Sequence, residues 1–199
     1  MQYVYKGGVV TRHSQEEATS KLDIISHSSA QTQRLGMRLG DILRGGELLL
    51  LDGQLGTGKT TFTQGLARGM GITDNVSSPT FTLLKEYRGH LVSPLLSGHE
   101  ISHSQPQRLG LALFHFDLYR LENPEEIIDL GFEDYFFSSG VCVVEWADKA
   151  DLLWPDQHLR VHLKMMSETK RGILLFATGL RYCQLLQEFQ KNAYATTSS

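Results

Sequence analysis

Four residues, Gly53, Gly58, Lys59 and Thr60, stand at the spacing G-x-x-x-x-G-K-[ST] within the stretch GQLGTGKTTFTQGLARGMGI. Each residue type has a definite use in holding the phosphates of a nucleoside triphosphate. Glycines let backbone N–H groups close around phosphate oxygens, lysine sets a point charge against the β and γ phosphates, and the threonine hydroxyl ligates Mg²⁺. A helix beginning at the lysine adds the positive end of its dipole. So short a pattern also arises by accident, and its context decides: a buried strand must precede the loop and a helix must follow it. ELLLLDG, QLGTG and KTTFTQGLARGM supply all three in order.

A Mg²⁺ ion bridging two phosphates is oriented through carboxylates or their waters. In a parallel α/β sheet such acids stand at the C-terminal ends of buried strands, beside the loop. Asp117, closing LALFHFD, and Glu145, closing VCVVEW, meet that description. The acids of NPEEIIDLGFEDYFF read instead as helix-start and surface charge, with Asn123 as cap and Pro124 at the first helical position. A competing pattern is HEISH, His99 to His103, which matches the zinc-hydrolase spacing H-E-x-x-H. That chemistry needs a helix to bring both histidines to one metal, and Ser97, Gly98, Ser102, Ser104 and Pro106 disfavour one. The segment reads as a solvated loop.

The elements that must position these groups follow from pattern. Leu35, Leu39, Ile42 and Leu43 fall at helical spacing behind a capping serine, with Gly45 and Gly46 beyond them. ELLLLDG is a continuous apolar run of the kind buried on both faces of a sheet. The helix after the loop stops near Gly69 and Gly71, and NVSSPTFT follows as a loop held extended before its proline. LALFHFD and VCVVEW read as further strands, LRVHLKM and ILLFATG as a pair exposed on one face, and LRYCQLLQEFQ as a closing helix. The expected organisation is an N-terminal extension over 1–27, carrying a short strand at YVYKGGVV, and a single α/β domain over 28–190. A long loop insertion over 88–110 and a loose tail over 191–199 complete it.

At 199 residues, 41% hydrophobic and 21% charged, the chain is of ordinary globular composition and suits one core. Nineteen basic against 22 acidic residues give a net charge of -3, so no overall positive field exists to hold nucleic acid non-specifically. Cys142 and Cys183 are outside any C-x-x-C spacing and read as buried free thiols. No apolar run approaches the roughly 18 residues of a membrane span, and the first 25 residues carry no signal-peptide pattern. A cytoplasmic protein without membrane contact, monomeric when isolated, is expected.

LDGQLGTGKTTFTQGLARGMGI, VSSPTFTLLKEY, HFDLYRL and VVEWADKADLLWP together resemble, in order, the blocks of the bacterial TsaE family, also called YjeE, over about residues 28–180. The combination of S-P-T-[FY]-T with H-F-D-[LI]-Y-R is specific and is not a general feature of phosphate loops. The resemblance implies a P-loop NTPase-like sheet flanked by helices, and an Mg²⁺-dependent ATPase of tRNA threonylcarbamoyladenosine biosynthesis. It implies two partners, the threonylcarbamoyl transferase TsaD and its companion TsaB, and modification of adenosine 37 in tRNA. On this resemblance Gly56, Thr57, Gly58, Lys59, Thr60 and Thr61 cradle the ATP phosphates and Thr60 ligates Mg²⁺. Glu145 is the second metal ligand, and Asp117 sits near the metal and γ phosphate to orient water. Ser78, Pro79, Thr80 and Thr82 form a switch-like loop, with Thr80 and Thr82 able to sense the γ phosphate. Trp146 follows the acid as the family pattern has it.

The chain departs from the pattern in places. The block S-x-E-E-T, by which the resemblance implies Ser29 and Thr32 near the nucleotide base, is here SSAQT; Gln54 stands where Asp is frequent, and Ala147 where proline is. The loop from Arg88 to Gly110 is longer than usual, and the N-terminal extension is atypical. A partner-dependent ATPase is the leading reading; a small-molecule kinase and a nucleotide-sensing scaffold with incidental hydrolysis are alternatives. Arg120 is a candidate arginine finger, with an ion pair to a nearby acid the preferred reading. With its negative net charge the isolated chain should bind bare tRNA weakly, any tRNA contact being indirect.

Overall fold

Leu48–Asp52 forms strand β4, all five residues buried, because parallel neighbours flank it on both edges and side chains cover both faces. In this computed structural model the described residues are 4–5, 8–9, 18–90, 109–123, 125–129 and 131–194. Val4–Tyr5 (β1) and Gly8–Val9 (β2) pair as a short antiparallel ribbon. Thr19–Ser26 (β3), Leu84–His90 (β5), Leu109–Asp117 (β6), Val141–Glu145 (β7), His158–Met165 (β8) and Arg171–Thr178 (β9) join β4 in one sheet. Its seven strands run in the order β3-β9-β8-β4-β7-β6-β5. The central four, β8-β4-β7-β6, are parallel, and antiparallel strands close both edges.

Helices cover the two faces. Leu49, Leu51 and Val143 meet Leu39 of α1 (Ser29–Gly40), Phe62 and Leu66 of α2 (Lys59–Gly69) and Phe189 of α5 (Leu180–Tyr194) in one core. Leu48, Leu50, Phe116 and Val144 point the other way, into a smaller core that takes in Ile127 of α3 (Glu125–Asp129), Phe132 of α4 (Phe132–Phe136) and Trp154. Gly131, at φ 67°, separates the short helices α3 and α4. Both cysteines are buried and free, and burial pushes the Cys142 thiol up to about 12.

Three expected boundaries are corrected. Residues 19–26, read as part of an extension, form edge strand β3: Leu22, Ile24 and Ser26 alternate inward and the backbone pairs along β9. Residues 88–90 and 109–110 of the 88–110 segment belong to β5 and β6, which pair antiparallel; 91–108, HEISH included, lie outside the described residues. Residues 191–194, read as tail, are the last turn of α5.

α1 and α2 approach closely through glycines on both helices. A Cβ added to Gly36 would lie 2.2 Å from the Phe62 carbonyl oxygen, and one added to Gly65 would lie 1.9 Å from that of Gln33. Because α2 starts at the phosphate-type loop, this contact fixes where the loop sits against the sheet. Gly65→Ala is expected to destabilise the fold by at least about 1 kcal/mol, overpacking outweighing alanine's better helix propensity. Urea unfolding checks this, and an unchanged or raised midpoint would contradict the close-packing argument.

Candidate functional site

The loop between β4 and α2 turns on glycines. Gly53, Gly56 and Gly58 have φ of 137°, 77° and 103°, in the left-handed region that L side chains rarely adopt. At Gly53 the need is also spatial, because a Cβ would lie 2.2 Å from the Leu163 carbonyl oxygen. Thr57 is buried and closes the loop by donating its hydroxyl to the Gln54 carbonyl at 2.9 Å. The N-terminus of α2 has no side-chain cap, so no side chain takes up its first N–H groups.

Lys59, only 5% exposed, folds across the loop: its Nζ donates to the carbonyls of Gly53 at 2.6 Å and Gln54 at 3.0 Å. The ammonium also lies 3.7 Å from the centroid of the Trp146 ring, a cation–π contact. Burial pushes the Lys59 pKa down, and the carboxylates of Glu145 and Asp117 oppose that shift. Trp146 holds its place in an unusual conformation, φ 61°, at the start of the 3-10 helix Ala147–Ala150. Asp52 ties this turn to β4 by accepting from the Asp148 N–H at 3.0 Å, while Arg160 donates to its other oxygen at 2.8 Å. Burial raises the Asp52 pKa, with Arg160 acting against it.

The two acids stand side by side, since Asp117 and Glu145 are register partners on parallel β6 and β7. Glu145, 2% exposed, takes the Thr60 hydroxyl on Oε2 at 2.9 Å. Its Oε1 is 3.3 Å from the Thr63 hydroxyl and 2.8 Å from Nε2 of His115. Asp117 receives hydroxyls from Ser78 and, at 2.8 Å, from Thr80, and the Tyr119 N–H at 2.9 Å. Ser78 and Thr80 are themselves 2.6 Å apart. The Ser-Pro-Thr loop is thereby tied to the strand end, and Pro79 anchors its turn by accepting from the N–H groups of Thr82 and Leu83.

These groups face a cavity of about 340 Å³. Gly56, Gly58, Lys59, Thr60, Thr61, Ser78, Thr80, Asp117 and Glu145 all line it. Ser29 and Thr32 do not: Ser29 is exposed at the start of α1, and buried Thr32 bonds Ser26 at 2.8 Å. Thr82 is exposed and Thr80 alone of the two threonines reaches Asp117. Arg120 stacks over exposed Phe81, 4.2 Å from its centroid, and forms no ion pair with an acid among the described residues. A larger cleft of about 600 Å³ lies at the far end of α2 and holds none of the loop residues.

Sequence reasoning passed over Thr63 and His115. Both had a signal: Thr63 lies one helical turn beyond Lys59 and Thr60, and His115 is two residues before Asp117, hence on the same sheet face. Thr60 Oγ1 and Glu145 Oε2 are hard oxygens of the kind a divalent cation takes.

A glycine loop feeding a helix from the central strand, with acids at the ends of two neighbouring parallel strands, defines a single-domain P-loop NTPase-like α/β fold. The family described as Threonylcarbamoyl adenosine biosynthesis protein TsaE matches residues 26–173. The chain belongs to the TsaE family, that of tRNA threonylcarbamoyladenosine biosynthesis. It is 36% identical to the tRNA threonylcarbamoyladenosine biosynthesis protein TsaE of Bacillus subtilis (strain 168), across 81% of this chain and 89% of that one. It is 34% identical to the protein of the same name from Treponema pallidum (strain Nichols), across 75% and 96%. The crystal structure of Bacillus subtilis YdiB superposes with a TM-score of 0.67 at 31% identity, covering 87% of this chain and 97% of that one. Among the described residues, no helix is long and apolar enough to cross a membrane.

A lysine whose folded-state pKa is depressed weakens stability below that pKa, and the penalty lifts as pH rises toward the ordinary lysine value. The stability of the wild-type chain relative to Lys59→Met should therefore improve as pH rises through the alkaline range. Denaturant unfolding of both proteins across pH checks the sign; a difference that stays flat or moves against the wild type as pH rises would contradict it.

Proposed function

We propose that this chain is an Mg²⁺-dependent ATPase that acts with a TsaD-like threonylcarbamoyl transferase and a TsaB-like companion to sustain modification of adenosine 37 in tRNA. The observation that carries the reading is the Thr60 hydroxyl on Glu145 Oε2, beside Lys59 and the uncapped start of α2. Phosphate oxygens would meet the N–H groups of residues 56–61 and the Lys59 ammonium. Mg²⁺, which is usually held by one or two carboxylates together with substrate phosphates, would be taken by Thr60 and Glu145. When bound it supplies charge neutralisation for the developing negative charge.

The remaining work falls to the chain's own groups. Lys59 exchanges the carbonyls of Gly53 and Gln54 for a phosphate, a stronger charge-assisted partner. Asp117, beside Glu145, would orient water toward the γ phosphate. Hydrolysis of this kind is positioning plus electrostatic stabilisation, so the isolated chain should turn over slowly until partners complete the site. Thr80 on Asp117 favours a further role for the Ser-Pro-Thr loop, as the segment that reports the γ phosphate to a partner. Its Phe81, 83% exposed, sits where such a partner would touch.

The test is phosphate release from Mg-ATP by the purified chain, alone and with its own transferase and companion subunits. Strong stimulation by the subunits is expected, with Glu145→Ala lowering the stimulated rate by roughly 100-fold or more while complex formation persists. An unchanged rate in a confirmed complex would favour a nucleotide-sensing scaffold, and phosphate transfer to an added small acceptor would favour a kinase.

A further inference from the structure

His115 is fully buried in β6, and its two ring nitrogens are treated very differently. Nε2 lies 2.8 Å from Glu145 Oε1, while Nδ1 has no hydrogen-bond partner among the described residues. A carboxylate only accepts, so the proton in this contact is on Nε2. Leaving Nδ1 buried and unpartnered is a cost that an apolar side chain would avoid, for His115 sits on the face of β6 that carries Leu113 into the main core. What the imidazole brings in return is one directed donor to Glu145.

That donor acts on one oxygen. Oε1 takes the His115 Nε2–H at 2.8 Å and lies 3.3 Å from the Thr63 hydroxyl, which it shares with the Lys59 carbonyl at 3.1 Å, whereas Oε2 meets Thr60 at the cavity. Without the Oε1 bonds the carboxyl could rotate about its last torsion, which is broad and roughly two-fold. We infer that His115 is a positioning residue: its Nε2–H holds Glu145 Oε1 away from the cavity, so that Oε2 alone is presented with the Thr60 hydroxyl to a divalent cation. The inference rests on the reading of the site as one for a metal-bound nucleotide. Groups that hydrogen-bond a ligating side chain from behind commonly set metal affinity in this way.

The experiment uses the full chain with Mn²⁺ as probe, followed by its paramagnetic resonance in the presence of a non-hydrolysable ATP analogue. Binding of the analogue in chelator is measured in parallel. His115→Leu should weaken Mn²⁺ binding by roughly 10-fold or more while leaving analogue binding in chelator unchanged. His115→Gln, whose amide N–H₂ can reach the place of Nε2, should restore much of it. Thr63→Val, which removes the hydroxyl shared between Oε1 and the Lys59 carbonyl, should shift Mn²⁺ affinity in the same direction by a smaller factor and serves if the leucine variant does not fold. Wild-type Mn²⁺ affinity in His115→Leu, an equal loss of analogue binding in chelator, or failure of His115→Gln to rescue would each overturn the inference alone. Absence of Mn²⁺ binding by the wild-type chain with analogue present would overturn it together with the nucleotide reading beneath it.

Discussion

A carboxylate, Glu145, is kept 2% exposed at the end of a central strand, and that state is tolerable only because donors surround it. Thr60 and Thr63 come from the first turns of α2, His115 comes from the next strand, and Lys59 stands close enough to act on it through space. Meeting that requirement dictates much of the architecture. β6 and β7 must be parallel and in register so that Asp117 and Glu145 emerge together, and α2 must lie tight against the sheet so that its threonines reach them. The glycine contacts between α1 and α2 hold the helix at that depth. Asp52 and Arg160 do the equivalent task for the turn that aims Trp146 at Lys59.

The same arrangement joins the three parts of the cavity into one network. The glycine loop reaches Glu145 through Thr60, and the Ser-Pro-Thr loop reaches Asp117 through Ser78 and Thr80. Asp117 and Glu145 are neighbours across a parallel ladder. A charged ligand placed against the first loop would therefore act, within one or two contacts, on the second loop and on exposed Phe81. Such coupling suits a protein whose relatives carry the name of a tRNA modification pathway and whose proposed hydrolysis depends on partners.

The features that could be read from sequence are those with local grammar. ELLLLDG followed by the glycine loop and KTTFTQGLARGM needs nothing distant to be recognised, and the strand-end acids follow from two apolar runs. Ser28 as cap of α1 was equally plain, and its hydroxyl accepts from the Gln31 N–H. What escaped depends on distant partners. β3 is an edge strand whose place is set by β9, almost the whole chain away, and β5 has a mixed, half-exposed pattern that only pairing with β6 makes a strand. Ser29 and Thr32, which the resemblance puts near the nucleotide base, do not line the cavity beside the loop. His115 was hidden because a histidine in an apolar strand reads as core until its neighbour across the sheet is known.

The most direct test of the central claim is calorimetric titration of the wild-type chain with ATP, once with excess Mg²⁺ and once with chelator. Binding in both conditions, tighter with Mg²⁺, is the result predicted by a site in which the loop and Lys59 hold phosphate while Thr60 and Glu145 hold the cation. No binding in either condition would contradict it.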